Sequence, residues 1–234
     1  MIKFLWYCYF GLYVFMKTVC FAPKIMFLRK FKPEKADAYA FKIFKIMCTH
    51  VLVKSKTDLK VSGLENIPEG ACVFAGNHEA IFDVFAVLPC MKSITGFIAK
   101  QSLGKLPAVA WWMRQAHSVF IDRDNPREGI KAINQAVENL KAGYSVIVFP
   151  EGTRSLKSEI AEFKRGSLKL ALKANVPIVP FTVDGTYRVL EVGNKVRGNK
   201  AKIIFHEPIY VENLSREEQK NITEIVHDIV KKAL

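Results

Sequence analysis

The chain opens on an apolar run: Phe4 to Ala22 carries one charge, Lys17. A bilayer span takes about 20 such residues, so the run is of borderline length. Phe4–Phe10 has no polar face, unlike an amphipathic surface helix. The pattern then changes. From Pro33 to about Lys54, the residues Phe41, Phe44, Met47, Cys48 and Val51 recur at helical spacing, beside a stripe of Lys35, Lys42 and Lys45. An apolar face next to a lysine stripe predicts a helix lying on anionic lipid. A helix packed on the domain with its lysines in water gives the same pattern.

Beyond residue 60, short β-rich runs alternate with helical periods. The predicted strands are 71–75, 94–99, 117–121, 145–149, 177–182 and 201–206. They are apolar nearly throughout, as strands covered on both faces are. Helix 126–141 has Asn125 as its cap, Pro126 at its first position and Gly143 past its end. Its predicted buried stripe is Ile130, Ile133, Val137 and Leu140. A last helix, 216–233, opens with the capping box Ser215-x-x-Glu218 and turns Ile222, Ile225, Val226 and Ile229 inward. Alternating strands and helices predict an α/β fold, a mostly parallel sheet flanked by helices. The division is a membrane-associated helical segment, 1–60, and a folded domain, 61–234.

Charge sharpens that division. Of the net +13, residues 1–60 hold +9, from twelve Lys/Arg and three Asp/Glu; 61–234 hold only +4. A nucleic-acid binder would carry its basic face on the folded body, so that class is excluded. A basic, aromatic-rich segment points to an anionic membrane surface. Trp6, Tyr7, Tyr9 and Tyr13 suit the headgroup boundary. Only Lys3 precedes the apolar run and no small-x-small cleavage site follows it, so the segment reads as a retained anchor rather than a signal peptide. Whether it crosses the bilayer or dips into it stays open. Lys24, Arg29, Lys30, Lys32 and Lys35 on its C-terminal side place that side in the cytoplasm. Five cysteines, at 8, 20, 48, 72 and 90, make no CxxC pair and read as reduced thiols, mostly buried.

Chemistry-bearing residues fall where strands end. Asn77-His78-Glu79-Ala80-Ile81-Phe82-Asp83 follows the run 71–75. A histidine at the carboxyl end of a parallel strand sits where α/β folds place catalysts. Within one regular helix His78 and Asp83 would diverge by about 140°. They can meet only if His78 lies in the turn before the helix. Asp83 would then accept from one imidazole nitrogen and leave the other as a base. Phe149-Pro150-Glu151-Gly152-Thr153-Arg154-Ser155 follows run 145–149, and its amides and arginine could bind an anion. Val119-Phe120-Ile121-Asp122-Arg123 and Val176-Pro177-Ile178-Val179-Pro180 complete the set. Each alone is weak: a buried His–Asp pair, an ordinary Pro/Gly turn, a local ion pair and a buried strand would read the same.

In this order and spacing, the four blocks resemble those of the glycerolipid acyltransferases with the HxxxxD motif. Phe163-Lys164-Arg165-Gly166 and Ala99-Lys100 also match, and the resemblance covers about 60–210. It implies an acyltransferase domain over 61–234. It implies transfer of a fatty acyl group from acyl-coenzyme A or acyl carrier protein to the sn-2 hydroxyl of 1-acylglycerol 3-phosphate, giving phosphatidic acid for phospholipid biosynthesis. His78 would be the general base and Asp83 its orienting partner. Lys100, Arg123, Glu151, Gly152, Thr153 and Arg154 would bind substrate, with Glu151 and Gly152 shaping the loop. Leu103, Leu106, Trp111 and Trp112 are candidates for the acyl groove. No cofactor and no metal are expected. The expected location is the cytoplasmic face of a bacterial inner membrane. Another lysolipid acceptor, such as a lyso-ornithine lipid, or a non-catalytic membrane adaptor are the alternatives.

Overall fold

The computed structural model describes residues 1–122 and 125–234. The first blocks of sequence form two long helices, α1 (Lys3–Phe31) and α2 (Pro33–Ser55). The apolar run is thus one part of a 29-residue helix that continues through Pro23. Pro23 is exposed, where the freed carbonyl one turn earlier can turn to solvent. α1 has two apolar sides. Trp6, Val14 and Ile25 are buried against the body, while Phe4, Leu12, Phe15 and Phe27 are more than half exposed.

α2 is not a helix resting on lipid by its apolar face. Phe41, Phe44, Met47, Cys48 and Val51 are all buried in protein. They join α3 (Phe82–Val87) and α4 (Pro107–Gln115) in one core cluster. Even Lys45, from the lysine stripe, turns inward to donate to the Met91 carbonyl at 2.6 Å. Burying such side chains stabilises by about 1.5–3 kcal/mol each, so a face of five is spent on the domain and not on a membrane.

A seven-stranded sheet forms the middle layer. In chain order its strands are β1 (Asp58–Ser62), β2 (Val73–Gly76), β3 (Thr95–Lys100), β4 (Val119–Ile121), β5 (Ser145–Val148), β6 (Ile178–Asp184) and β7 (Lys200–Phe205). The spatial order is β1-β7-β6-β2-β5-β3-β4, parallel except where β6 meets β7. β2, β5 and β6 are buried almost throughout, as fully covered strands require. Alternate residues serve the two faces: Phe74 packs toward α2 and α3, Val73 and Ala75 toward the opposite layer.

That opposite layer holds α5 (Pro126–Lys141), α6 (Lys169–Ala174) and α8 (Arg216–Lys231), while the short α7 (Tyr187–Leu190) follows β6. Asn125 caps α5 by accepting from the amides of Arg127 and Glu128. The Ser215/Glu218 capping box opens α8 in both directions. One residue of the predicted stripe on α5 is misplaced. Ile130 is exposed, and Ala132 and Ala136 take the buried positions beside Val137 and Leu140. The small side chains let α5 approach the sheet closely.

A polar cluster fastens the helix pair to the body. Asp37 of α2, buried, accepts from Arg29 Nη2 at 2.6 Å, Tyr144 Oη at 3.0 Å and His117 Nε2 at 3.1 Å. His117 takes a left-handed φ of 58° and stacks on Tyr144, 3.7 Å between ring centres. The end of α1, the start of α2 and the turns before β4 and β5 meet at one carboxylate. A second tie is Trp112, whose indole N–H donates to Thr18 Oγ1 of α1 at 3.0 Å.

Candidate active site

β2, β5 and β3 are parallel neighbours, so their carboxyl ends emerge on one edge of the sheet. That edge collects Asn77-His78, Phe149–Arg154 and Lys100. Asn77 closes the end of β2 by imitating a strand. Its amide nitrogen donates to the Val183 carbonyl, and its oxygen accepts from the Val183 amide, both at 2.8 Å. The preceding Gly76 has no room for a side chain: a Cβ there would lie 2.4 Å from the Phe181 carbonyl oxygen.

His78 lies in the turn before α3, as the five-residue spacing demanded. Its Nδ1 is 2.6 Å from Asp83 Oδ2, and its ring stacks on Phe149 with 4.0 Å between centres. An ionised carboxylate only accepts, so Nδ1 carries the hydrogen and Nε2 of the neutral ring keeps its lone pair. Asp83 is fully buried and also accepts from the Ala80 amide at 3.0 Å. Its other oxygen, Oδ1, accepts from the Thr186 hydroxyl.

The loop after β5 is strapped to the histidine's own backbone. Glu151 Oε1 accepts from the His78 amide at 2.6 Å, and Oε2 from the Ala161 amide at 2.9 Å. The Ser155 amide donates to the His78 carbonyl at 2.8 Å. Burial pushes the Glu151 carboxyl up, against the two amides that favour its charge. Glu151 therefore shapes the loop from behind. Gly152 turns it with φ +75°, and the Lys164 side chain crosses at its α-carbon, where a Cβ would come within 2.8 Å of Lys164 Cε.

His78, Lys100, Gly152, Thr153 and Arg154 line one cavity of about 500 Å³. Much of its wall is apolar: Phe10, Tyr13 and Val14 from α1, Phe44, Met47 and Val51 from α2, then Leu103, Leu106 and Trp112. Trp111, a groove candidate, is not among the lining side chains. Arg154 is half-exposed, with Nη1 donating to Glu191 Oε1 at 2.9 Å. Arg123 lies outside the described residues. The cavity thus pairs a positioned imidazole and two cations with a largely apolar wall.

Residues 58–184 match the family model described as Acyltransferase. This chain belongs to the acyltransferase family. A chloroplastic 1-acyl-sn-glycerol-3-phosphate acyltransferase of Brassica napus is 35% identical over 159 residues, 66% of this chain and 45% of that protein. The chain thus spans less than half the length of that relative. A 1-acyl-sn-glycerol-3-phosphate acyltransferase of Borreliella burgdorferi is 34% identical over 74% of this chain and 70% of its own length. The crystal structure of the 1-acyl-sn-glycerophosphate acyltransferase of Thermotoga maritima superposes with a TM-score of 0.80 at 28% identity, covering 99% of this chain and 96% of that one.

In this member of the family the site has three residues that sequence reasoning did not single out for a role. Thr186 reaches Asp83 from 103 positions away. Glu79, inside the first block, is buried beside it. Glu191 holds Arg154 from 37 positions away. Nothing local in Gly185-Thr186 or Leu190-Glu191 marks them, because their meaning lies in tertiary contacts alone.

Proposed function

We propose that the protein transfers a fatty acyl group from an acyl thioester to the sn-2 hydroxyl of 1-acylglycerol 3-phosphate. The observation that carries this reading is His78, fixed through Nδ1 by Asp83, lining a largely apolar cavity that Lys100 and Arg154 also line. His78 Nε2 takes the hydroxyl proton as the oxygen attacks the thioester carbonyl. The C–S bond breaks as the tetrahedral intermediate collapses, and the imidazolium returns its proton to the departing sulfur. A positioned base of this kind supplies about 10²–10⁴-fold. A thioester is already activated, so no acyl-enzyme is required.

Lys100, Arg154 and the Thr153 loop take the phosphate dianion, which suits cations and a guanidinium fork. Arg123 joins them on the strength of its place in the second block. The cavity volume falls within the range of small-molecule sites and its apolar walls suit an acyl chain. The exposed apolar stripe of α1 supports seating on a membrane, with the basic end of the helix at the cytoplasmic face. The relatives' names support lysophosphatidate as the acceptor. The donor is acyl-coenzyme A or acyl carrier protein.

The test is acyl transfer by the full chain in detergent micelles. Lysophosphatidate is offered beside lysophosphatidylcholine, lysophosphatidylethanolamine and lyso-ornithine lipid, with both donors. Phosphatidate formation that disappears in His78→Ala supports the reading. Transfer to another acceptor alone moves the assignment to that lipid. No transfer by folded protein overturns it in favour of a non-catalytic membrane adaptor.

A further inference from the structure

We propose that Glu79 and Thr186 form a positioning relay behind the His78–Asp83 pair: Glu79, as a neutral carboxylic acid, donates to the Thr186 hydroxyl, which donates to Asp83. The inference rests on the function proposed above. Neither residue lines the cavity, so neither touches substrate. Both act through Asp83.

Proton accounting leads to this arrangement. Asp83 and Glu79 are both fully buried, and Thr186 lies between them. The Thr186 oxygen contacts Asp83 Oδ1 and sits 3.3 Å from Glu79 Oε2. A hydroxyl has one hydrogen to give. Two ionised carboxylates would compete for it, and either Asp83 Oδ1 or Glu79 Oε2 would go without that hydrogen. With a proton on Glu79 Oε2, the Thr186 oxygen both accepts a hydrogen and donates one, and the competition ends. The Thr186 hydrogen then goes to Asp83, whose Oδ2 already holds His78 Nδ1 and the Ala80 amide.

The surroundings favour the acid form. Glu79 Oε1 has no hydrogen-bond partner among the described residues. A buried anion with a bare oxygen is costly, whereas a carboxylic acid is far less so. Asp83 from α3 and Asp184 from β6 both face Glu79 and repel its charge. The Arg188 guanidinium on α7 is the cation within its field, but it is solvent-exposed and screened. The Tyr187 amide and the Thr186 hydroxyl pull the other way. Burial prevails, and the Glu79 carboxyl is pushed up to about 8.

The relay leaves Asp83 as the one anion of the Glu79–Thr186–Asp83 chain and aims it at the imidazole. When His78 accepts the substrate proton, that anion faces an imidazolium across 2.6 Å. Above pH of about 8 Glu79 loses its proton and draws the Thr186 hydrogen to itself, and Asp83 Oδ1 loses its donor. Turnover then falls on the alkaline side.

The experiment uses the full chain in micelles with lysophosphatidate and acyl-coenzyme A or acyl carrier protein, comparing wild type, Thr186→Val, Thr186→Ser and Glu79→Gln. Thr186→Val keeps the shape and removes the hydroxyl. It should lower kcat by about tenfold or more, the worth of a hydrogen bond to a charged group, with KM within about twofold. Thr186→Ser should recover most of the loss. Glu79→Gln, which still donates but cannot ionise, should lack the alkaline decline. The downfield proton signal of His78 Nδ1–H should shift in Thr186→Val and return in Thr186→Ser. A folded Thr186→Val with wild-type kcat and an unmoved His78 signal overturns the proposal, as does an alkaline limb that persists in Glu79→Gln. If Thr186→Val does not fold, the Glu79→Gln profile decides. If wild type transfers no acyl group, the assigned reaction fails, and the His78 signal alone decides the relay.

Discussion

Glu191 and Arg154 share one hydrogen bond, Nη1 to Oε1 at 2.9 Å, and Glu191 is simultaneously 3.8 Å from the Lys3 ammonium. The arginine proposed to meet the substrate phosphate is therefore held from behind by a largely buried carboxylate. The same carboxylate touches the first turn of α1. Backbone bonds reinforce that contact: the Lys3 amide donates to the Asn194 carbonyl and the Val196 amide to the Met1 carbonyl, each at 2.9 Å.

A guanidinium has enough donors for Glu191 and a phosphate together; an ammonium on a flexible stem does not hold both in fixed directions. Arg154→Lys should therefore keep the charge and still raise the KM for lysophosphatidate by about tenfold, with kcat nearly unchanged. Steady-state kinetics at varied acceptor concentration checks this. A wild-type KM in Arg154→Lys would remove the fork from the account.

Glu79 also links stability to pH. Its carboxyl ionises near its ordinary value of 4.5 in the unfolded chain and near 8 in the folded one. Between those limits the folded state holds one more proton than the unfolded state. Its contribution is complete below pH of about 4.5 and is lost as pH rises through about 8. Glu79→Gln should thus flatten the fall in thermal midpoint from pH 5 to pH 8. The difference from wild type should reach at least about 2–4 °C, the shift that one kcal/mol gives in a chain of this size.

Asp37 receives three donors, and its loss takes away the carboxylate that Tyr144 and His117 share, while Arg29 keeps Gln115 Oε1 and solvent. Asp37→Ala should destabilise by about 3 kcal/mol or more. Arg29→Ala removes one partly exposed partner and should cost about 1 kcal/mol or less. Denaturant unfolding measures both. Limited proteolysis between α1 and α2 should accelerate in Asp37→Ala and stay near wild type in Arg29→Ala.

Gly76 stands one residue before Asn77, against β6. A methyl group there would overlap the Phe181 backbone, which cannot swing aside as a side chain can. Gly76→Ala should therefore fail to fold or lose more than about 3 kcal/mol. Gly70→Ala, in open space but at φ +88°, should cost only about 1 kcal/mol. Comparing the two by thermal unfolding separates close approach from backbone conformation.

Local signals were readable in proportion to how local they are. The cap and stop of α5, the capping box of α8, and the start of α2 at Pro33 are written in adjacent residues, and the structure places all three as read. The His78–Asp83 contact was legible because only a turn geometry lets residues five apart meet. β1 was not. Its Asp58-Leu59-Lys60-Val61-Ser62 is a half-exposed edge strand with charged positions, and its partner β7 lies some 140 residues on. The lysine stripe of α2 misled for a similar reason. Periodicity shows that a helix has an apolar face, not whether lipid or protein covers it. Thr186, Glu191 and the Asp37 cluster are tertiary coincidences of side chains that look ordinary one at a time.

The two-sidedness of α1 bears on how the protein could be prepared without detergent. Deleting the helix would strip Phe10, Tyr13 and Val14 from the cavity wall and lay the core under Trp6 and Ile25 open to water. A truncated protein would lose part of its cavity along with its greasy exterior. A water-soluble version has to be repainted rather than shortened: polar residues in place of Phe4, Leu12, Phe15 and Phe27, with the inward side of the same helix left as it is.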